Sequence, residues 1–131
     1  MCKMGGIGVD LCAIDRMERA IEKEHYTARV FTPQERAYMD ARGVGRTQSA
    51  AAMFAAKEAV AKALGTGFAQ GVMPAQIEVT HDAAGAPGIL LHGCAGERLK
   101  AAGGGRVLIS LSHEGNMAIA FAVIQRDAQN A

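Results

Sequence analysis

Hydrophobic and polar positions divide the chain into a mainly helical first half and a mainly extended second half. "GGIGVD" (5–10) alternates small and β-branched residues and reads as a short strand ending at Asp10. In "AIDRMERAIEK", Ile14, Met17 and Ile21 share a helical face while Arg16, Arg19 and Lys23 turn elsewhere. "TPQERAYMDARG" carries a helix start: Thr32 as cap, Pro33 in the first helical position, and Glu35 where a capping box needs its carboxylate. A further helix is predicted from Thr47 to Leu64, with Met53, Ala56, Val60 and Leu64 in one apolar stripe and Gly65 as its stop. Glu58 and Lys62 stand one turn apart on the side away from that stripe.

Beyond it, "QIEVTHD" and "GILLHG" flank a turn at Ala83–Pro87, "CAGERLKAA" reads as a short helix, and "RVLISLSH" and "MAIAFAVIQ" form a hairpin through Glu114-Gly115-Asn116. The order β-α-α-β-β-α-β-β, with the early helices open to subdivision, predicts a single α+β domain over 1–131. Its sheet should be mainly antiparallel and packed against the helices. Residues 127–131 read as a loose tail.

Composition adds two constraints. Half of the 131 residues are hydrophobic, yet only 5% are aromatic and tryptophan is absent, so the core must be aliphatic. A small core rich in alanine and glycine favours further burial through self-association. A net charge of +1 provides no basic field for nucleic acid. No apolar run approaches the roughly 20 residues of a membrane span, and the N-terminus lacks the apolar stretch of a secretory signal. Cys2, Cys12 and Cys94 are odd in number and lack CxxC spacing, which predicts free thiols in a reducing cytoplasm.

Read by spacing, Glu58 and Lys62 form an ordinary surface pair, and Asp10 an ordinary strand end. A fold that brings Asp10 and Glu58 together changes this reading. Two carboxylates about 4 Å apart repel by on the order of 4 kcal/mol at an effective dielectric near 20. They then need a cation, and all-oxygen ligands favour Mg²⁺ or a relative. Its open positions suit phosphate oxygens, and Lys62 with exposed backbone at Gly65-Thr66-Gly67 would suit a polyphosphate. His113 shares no spacing with His25, His81 or His92, so no histidine metal cluster is expected. Ser112 and His113 cannot form a nucleophile–base pair, because neighbours on a strand point to opposite faces. Arg16, Arg19 and Lys23 are either a solvated face or a small dock for an acidic helix.

"GIGVDLCAIDR" (6–16), "FTPQER" (31–36), "FAAKEAVAKALGTG" (54–67) and "ISLSHEGNMAIAFAV" (109–123) together resemble the holo-[acyl-carrier-protein] synthases, the small bacterial 4′-phosphopantetheinyl transferases. The resemblance covers nearly the whole chain in order. It implies that family's fold and the transfer of 4′-phosphopantetheine from coenzyme A to a serine of an apo acyl carrier protein. Adenosine 3′,5′-bisphosphate would leave. It also implies Asp10 and Glu58 as Mg²⁺ ligands, with Lys62 beside the pyrophosphate. Gly65, Thr66, Gly67, Pro87, Ser112 and His113 would line the coenzyme A site, and Arg16 would meet the carrier's acidic helix. A homotrimer with sites between subunits is the expected assembly. The serine proton could go to Glu58, a metal-bound water or a carrier carboxylate.

One position departs from the family pattern: Met53 stands where relatives carry an arginine before the phenylalanine. The phosphate contact is then lost, or comes from Lys57, Arg46 or a neighbouring subunit. The alternative class is a coenzyme A-binding module without catalysis, which Met53 favours.

Overall fold

The computed structural model describes residues 4–127. Cys2 and all but the first residue of the expected tail lie outside the described residues. Cys12 and Cys94 are free thiols, one buried and one exposed.

The chain runs β1 (Met4–Ala13), α1 (Ile14–Ile21), α2 (Glu24–Val30), α3 (Pro33–Ala41), α4 (Arg46–Ala63), β2 (Ile77–His81), β3 (Pro87–Leu91), α5 (Gly93–Ala101), β4 (Arg106–Glu114) and β5 (Met117–Gln125). Single 3₁₀ turns precede α4 and β2. The mixed α+β architecture with antiparallel pairing is as the pattern predicts, but the strands form two sheets. One has the order β1-β5-β4; the other is the β2-β3 hairpin alone.

Three further expectations are corrected. The first strand does not end at Asp10 but continues to Ala13, with Asp10 opposite Ala120. Leu11 and Cys12 sustain its in–out alternation, and nothing there breaks the chain. The first helix ends at Ile21, so Lys23 lies beyond it as the cap of a separate helix α2. Thr27 holds that break by donating to the Ile21 carbonyl at 3.2 Å. Finally, α4 has no single apolar stripe: buried residues surround most of it, from Ala50 to Ala63.

The glycine and alanine content has a packing cause. α4 crosses the inner face of the three-stranded sheet, touching β1 and β5 most. At Gly6 and Gly8 an added Cβ would run into the carbonyls of Ala63 and Ala59. Ala118, Ala120 and Ala122 of β5 and Ala55, Ala56 and Ala59 of α4 are fully buried. Small residues on both surfaces let the helix axis sit close to the sheet.

The capping box at α3 forms as predicted, Thr32 and Glu35 each bonding the other's backbone N–H. Glu35 does more than cap. It is 1% exposed and its Oε1 lies 2.7 Å from Nζ of Lys57, which is fully buried on α4. Lys57 also donates to the carbonyls of Pro74 and Ile77. Removing one partner alone would strand a buried charge, at a cost of about 3–5 kcal/mol.

Candidate active site

The hairpin between β4 and β5 fixes where α1 begins. Ala13, the residue before α1, makes no side-chain cap. The exposed first N–H groups of that helix bond instead to Asn116: Ile14 N to its carbonyl at 2.8 Å and Asp15 N to its Oδ1 at 2.9 Å. β1 therefore passes straight into α1, and Arg16 falls in the first turn, six residues after Asp10.

Asp10 lies on the inner face of β1, between Gly8 and Cys12, where β1 is packed on α4. That packing brings Asp10 within hydrogen-bond reach of Glu58. Burial first, then the hydrogen bond and charge of Asp10, push the Glu58 carboxyl up to about 7, with Lys62 pulling the other way. Lys62 Nζ sits 3.0 Å from Asp10 Oδ1 and 3.0 Å from the Val9 carbonyl. Asp10, Glu58 and Lys62, far apart in sequence, are thus one cluster.

A cleft of ≈ 160 Å³ opens beside it, lined by Arg16, Met17, Tyr26, Phe54 and Glu58 among others. Its walls mix apolar side chains with Arg16, Tyr26 and Glu58. Burial, then the charges of Glu58 and Asp10, raise the Cys12 thiol to about 11, so it stays a neutral wall residue. Tyr26 is likewise raised to about 12, by burial first.

Once Glu58 gives up its proton, the two carboxylates carry two negative charges against the one positive charge beside them. Lys62 supplies that charge, but its ammonium is committed to Asp10 and Val9. The donor set is all oxygen, which fits a hard divalent cation. Among the described residues no third acid, histidine or cysteine joins the pair. A bound ion would keep most of its positions for water or phosphate oxygens.

Pro87 and His113 meet elsewhere. They line a second cleft of ≈ 390 Å³, together with Tyr38, Arg42, Met53 and His81. The rings of Tyr38 and His81 stack at 3.7 Å with 4° between their planes. The Arg42 guanidinium lies 5.7 Å from the Tyr38 ring centre. Burial first, then Arg42, lowers the His81 pKa, which keeps the stacked ring neutral at pH 7. Strand order separates the two clefts, since β1 carries Asp10, β4 carries His113, and β5 lies between them. Two strand spacings amount to roughly 10 Å.

Other expected positions are placed differently. Ser112 is exposed and does not line the His113 cleft. Gly65, Thr66 and Gly67 do not offer a free backbone cradle. Their N–H groups bond to the carbonyls of Lys62, Ala61 and Ala61, finishing α4. Gly65 and Gly67 take positive φ (86° and 56°) to make that turn. Lys57 cannot replace the absent arginine, being sealed with Glu35. Arg46 is paired with Asp40 at 2.9 Å. Met53 packs in the core at 1% exposure. Arg42, Tyr38 and His81 were not foreseen from sequence; only the stacking geometry, between residues 43 positions apart, unites them.

With this geometry in view, comparison with known proteins decides the family. The profile of the 4′-phosphopantetheinyl transferase superfamily matches residues 6–122. The chain belongs to that superfamily. It is 48% identical to the holo-[acyl-carrier-protein] synthase of Methylobacterium sp. strain 4-46, over 92% of this chain and 93% of that one. Its fold is similar to the crystal structure of the holo-[acyl-carrier-protein] synthase of Neisseria meningitidis, with a TM-score of 0.84 and 33% identity over 93% and 98% of the two chains. The Bacillus anthracis synthase, crystallised in complex with coenzyme A (3′,5′-ADP), matches with a TM-score of 0.78 and 30% identity, over 95% and 98%. In this transferase chain the carboxylate pair and the lysine lie on β1 and α4.

Proposed function

We propose that this chain transfers 4′-phosphopantetheine from coenzyme A to a serine of an apo acyl carrier protein, with Mg²⁺ held by Asp10 and Glu58. The observation that carries the reading is the convergence of Asp10, Glu58 and Lys62 beside a cleft, in a chain whose relatives are holo-[acyl-carrier-protein] synthases. The serine oxygen attacks the β-phosphorus of coenzyme A. A P–O bond forms, and the bond to adenosine 3′,5′-bisphosphate breaks. Such transfers depend on positioning and charge neutralisation. When bound, the cation neutralises diphosphate charge and orients its oxygens. Lys62, half-exposed beside Asp10, is placed to stabilise charge on the leaving side. The serine proton would leave to Glu58, to a water on the cation or to a carboxylate of the carrier. Arg16, at the mouth of the cleft, would meet an acidic helix of the carrier. Pro87 and His113, which share the larger cleft, would serve the coenzyme A side.

Assembly as a homotrimer is part of this proposal, and one face of the large sheet supports self-association. Ile7, Val9, Leu11, Leu108, Ile119 and Phe121 are all exposed on the side opposite α4. An apolar face of this extent calls for a partner. Closing it between subunits would also let the Pro87–His113 cleft of one subunit serve the carboxylate cluster of another. This accounts for the separation of the two clefts within one chain. We infer a cytoplasmic setting, in which the free thiols Cys12 and Cys94 would stay reduced. Among the described residues no helix is long and apolar enough to cross a membrane.

The test is mass spectrometry of an apo carrier protein incubated with this protein, coenzyme A and Mg²⁺. The carrier should gain one phosphopantetheine group. Binding of coenzyme A without any gain would make the chain the non-catalytic module that Met53 allows.

A further inference from the structure

The Glu35–Lys57 pair bonds to backbone in a distinctive pattern. Lys57 Nζ donates to the Ile77 carbonyl at 2.8 Å, and Glu35 Oε2 accepts from Val79 N at 2.7 Å. Ile77 and Val79 flank Glu78 on β2, so these two groups share the strand edge that does not face β3. A parallel neighbouring strand would satisfy such an edge with one residue, donating to the first carbonyl and accepting from the N–H two residues on. Here an ammonium from α4 and a carboxylate from α3 replace that residue. The same chain of bonds continues from Thr32 Oγ1 to Glu78 Oε2 at 2.7 Å, and from Glu78 to His92 at 2.9 Å. A hairpin of two strands is marginal alone, and this network anchors it to the helices.

Both ends of the anchor matter. His81 and Pro87 are opposite each other at the far end of the hairpin and line the larger cleft. Lys57 immediately precedes Glu58 on α4. We propose that the Glu35–Lys57 pair is a positioning device, setting the hairpin that carries His81 and Pro87 against α4 and so fixing the coenzyme cleft relative to the carboxylate cluster. This rests on the function proposed above. Neither residue touches substrate.

The test uses the full chain with Glu35→Gln and Lys57→Met. By hydrogen exchange, the wild-type Val79 amide should be as protected as the amides of β5. In Glu35→Gln, whose single acceptor oxygen must serve Thr32 N, Lys57 Nζ and Val79 N, that protection should fall at least about tenfold while β5 is unchanged. Per folded molecule, KM for coenzyme A should rise about tenfold or more, with KM for the carrier within about twofold. A lower Tm with unaltered KM for coenzyme A would make the pair merely structural and overturn the proposal, as would an unprotected Val79 amide in the wild type. Failure of both variants to fold would have the same meaning. A wild-type chain that transfers nothing would refute the proposed reaction instead, and Val79 exchange with calorimetric coenzyme A affinity would still decide the positioning role.

Discussion

Lys62 folds back from α4 onto β1, its Nζ 3.0 Å from Asp10 Oδ1. The lysine side chain is 54% exposed, so the bond adds little to stability. Its consequence lies in placement: the ammonium is already beside the carboxylates before substrate arrives. Lys62→Ala should therefore leave Tm close to wild type and lower kcat by about 10²–10³, the scale of losing one preorganised charge-stabilising group. Thermal melts and steady-state kinetics on the same preparation check both halves.

The pH response of the ion-free protein follows from Glu58. Its carboxyl is raised from 4.5 to about 7 by burial first and by Asp10 second. A raised folded-state pKa means the fold prefers the proton, so this contribution is complete below about 4.5 and is lost as pH rises through about 7. A divalent cation must displace that proton. Mg²⁺ affinity should climb between pH 5 and 7 and level off above, with proton release detectable by calorimetry in buffers of different ionisation enthalpy near pH 6. Equal affinities near pH 6 and pH 8 would contradict the coupling.

Arg16 occupies the first turn of α1, held there by Asn116 from the β4–β5 turn. Arg16→Glu should raise KM for the carrier roughly tenfold or more, with KM for coenzyme A changed little, as reversal of a rim charge does. The effect should shrink with added salt. Equal changes in both KM values would remove Arg16 from docking.

Gly8→Ala places a methyl group against the Ala59 carbonyl and must push β1 away from α4. Stability should fall by about 1–3 kcal/mol, the range for overpacking. Because Asp10 is two residues on, Mg²⁺ affinity should fall as well in the protein that remains folded. Denaturant melts and ion titration separate the two effects.

Much of this could be read from the sequence, for a local reason in each case. Thr32-Pro33-x-Glu35 names its own helix start, and the Glu58–Lys62 spacing fixes which side of α4 the two share. The two-sheet arrangement could not be read this way, because pairing partners such as Val79 and Ile89 say nothing about which other strands they avoid. Nor could the partners of Lys57: the helical wheel sets it beside Met53, Val60 and Leu64 on the buried side, and only the approach of Glu35 and β2 from elsewhere supplies its counter-charge and acceptors. The hydrogen bonding of the Gly65–Gly67 turn was not legible for a related reason. A glycine run that could cradle phosphate and one that ends a helix have the same composition, and differ in where their N–H groups point.

The account turns on whether Asp10 and Glu58 grip one ion together. Anomalous diffraction from crystals grown with coenzyme A and Mn²⁺ tests this directly. One peak should lie between the two carboxylates, bridged to diphosphate oxygens, and should vanish in Asp10→Ala and in Glu58→Gln while the fold is kept and turnover drops by orders of magnitude. A diphosphate bound with no ion between those side chains, or near-normal transfer by either variant, would contradict it.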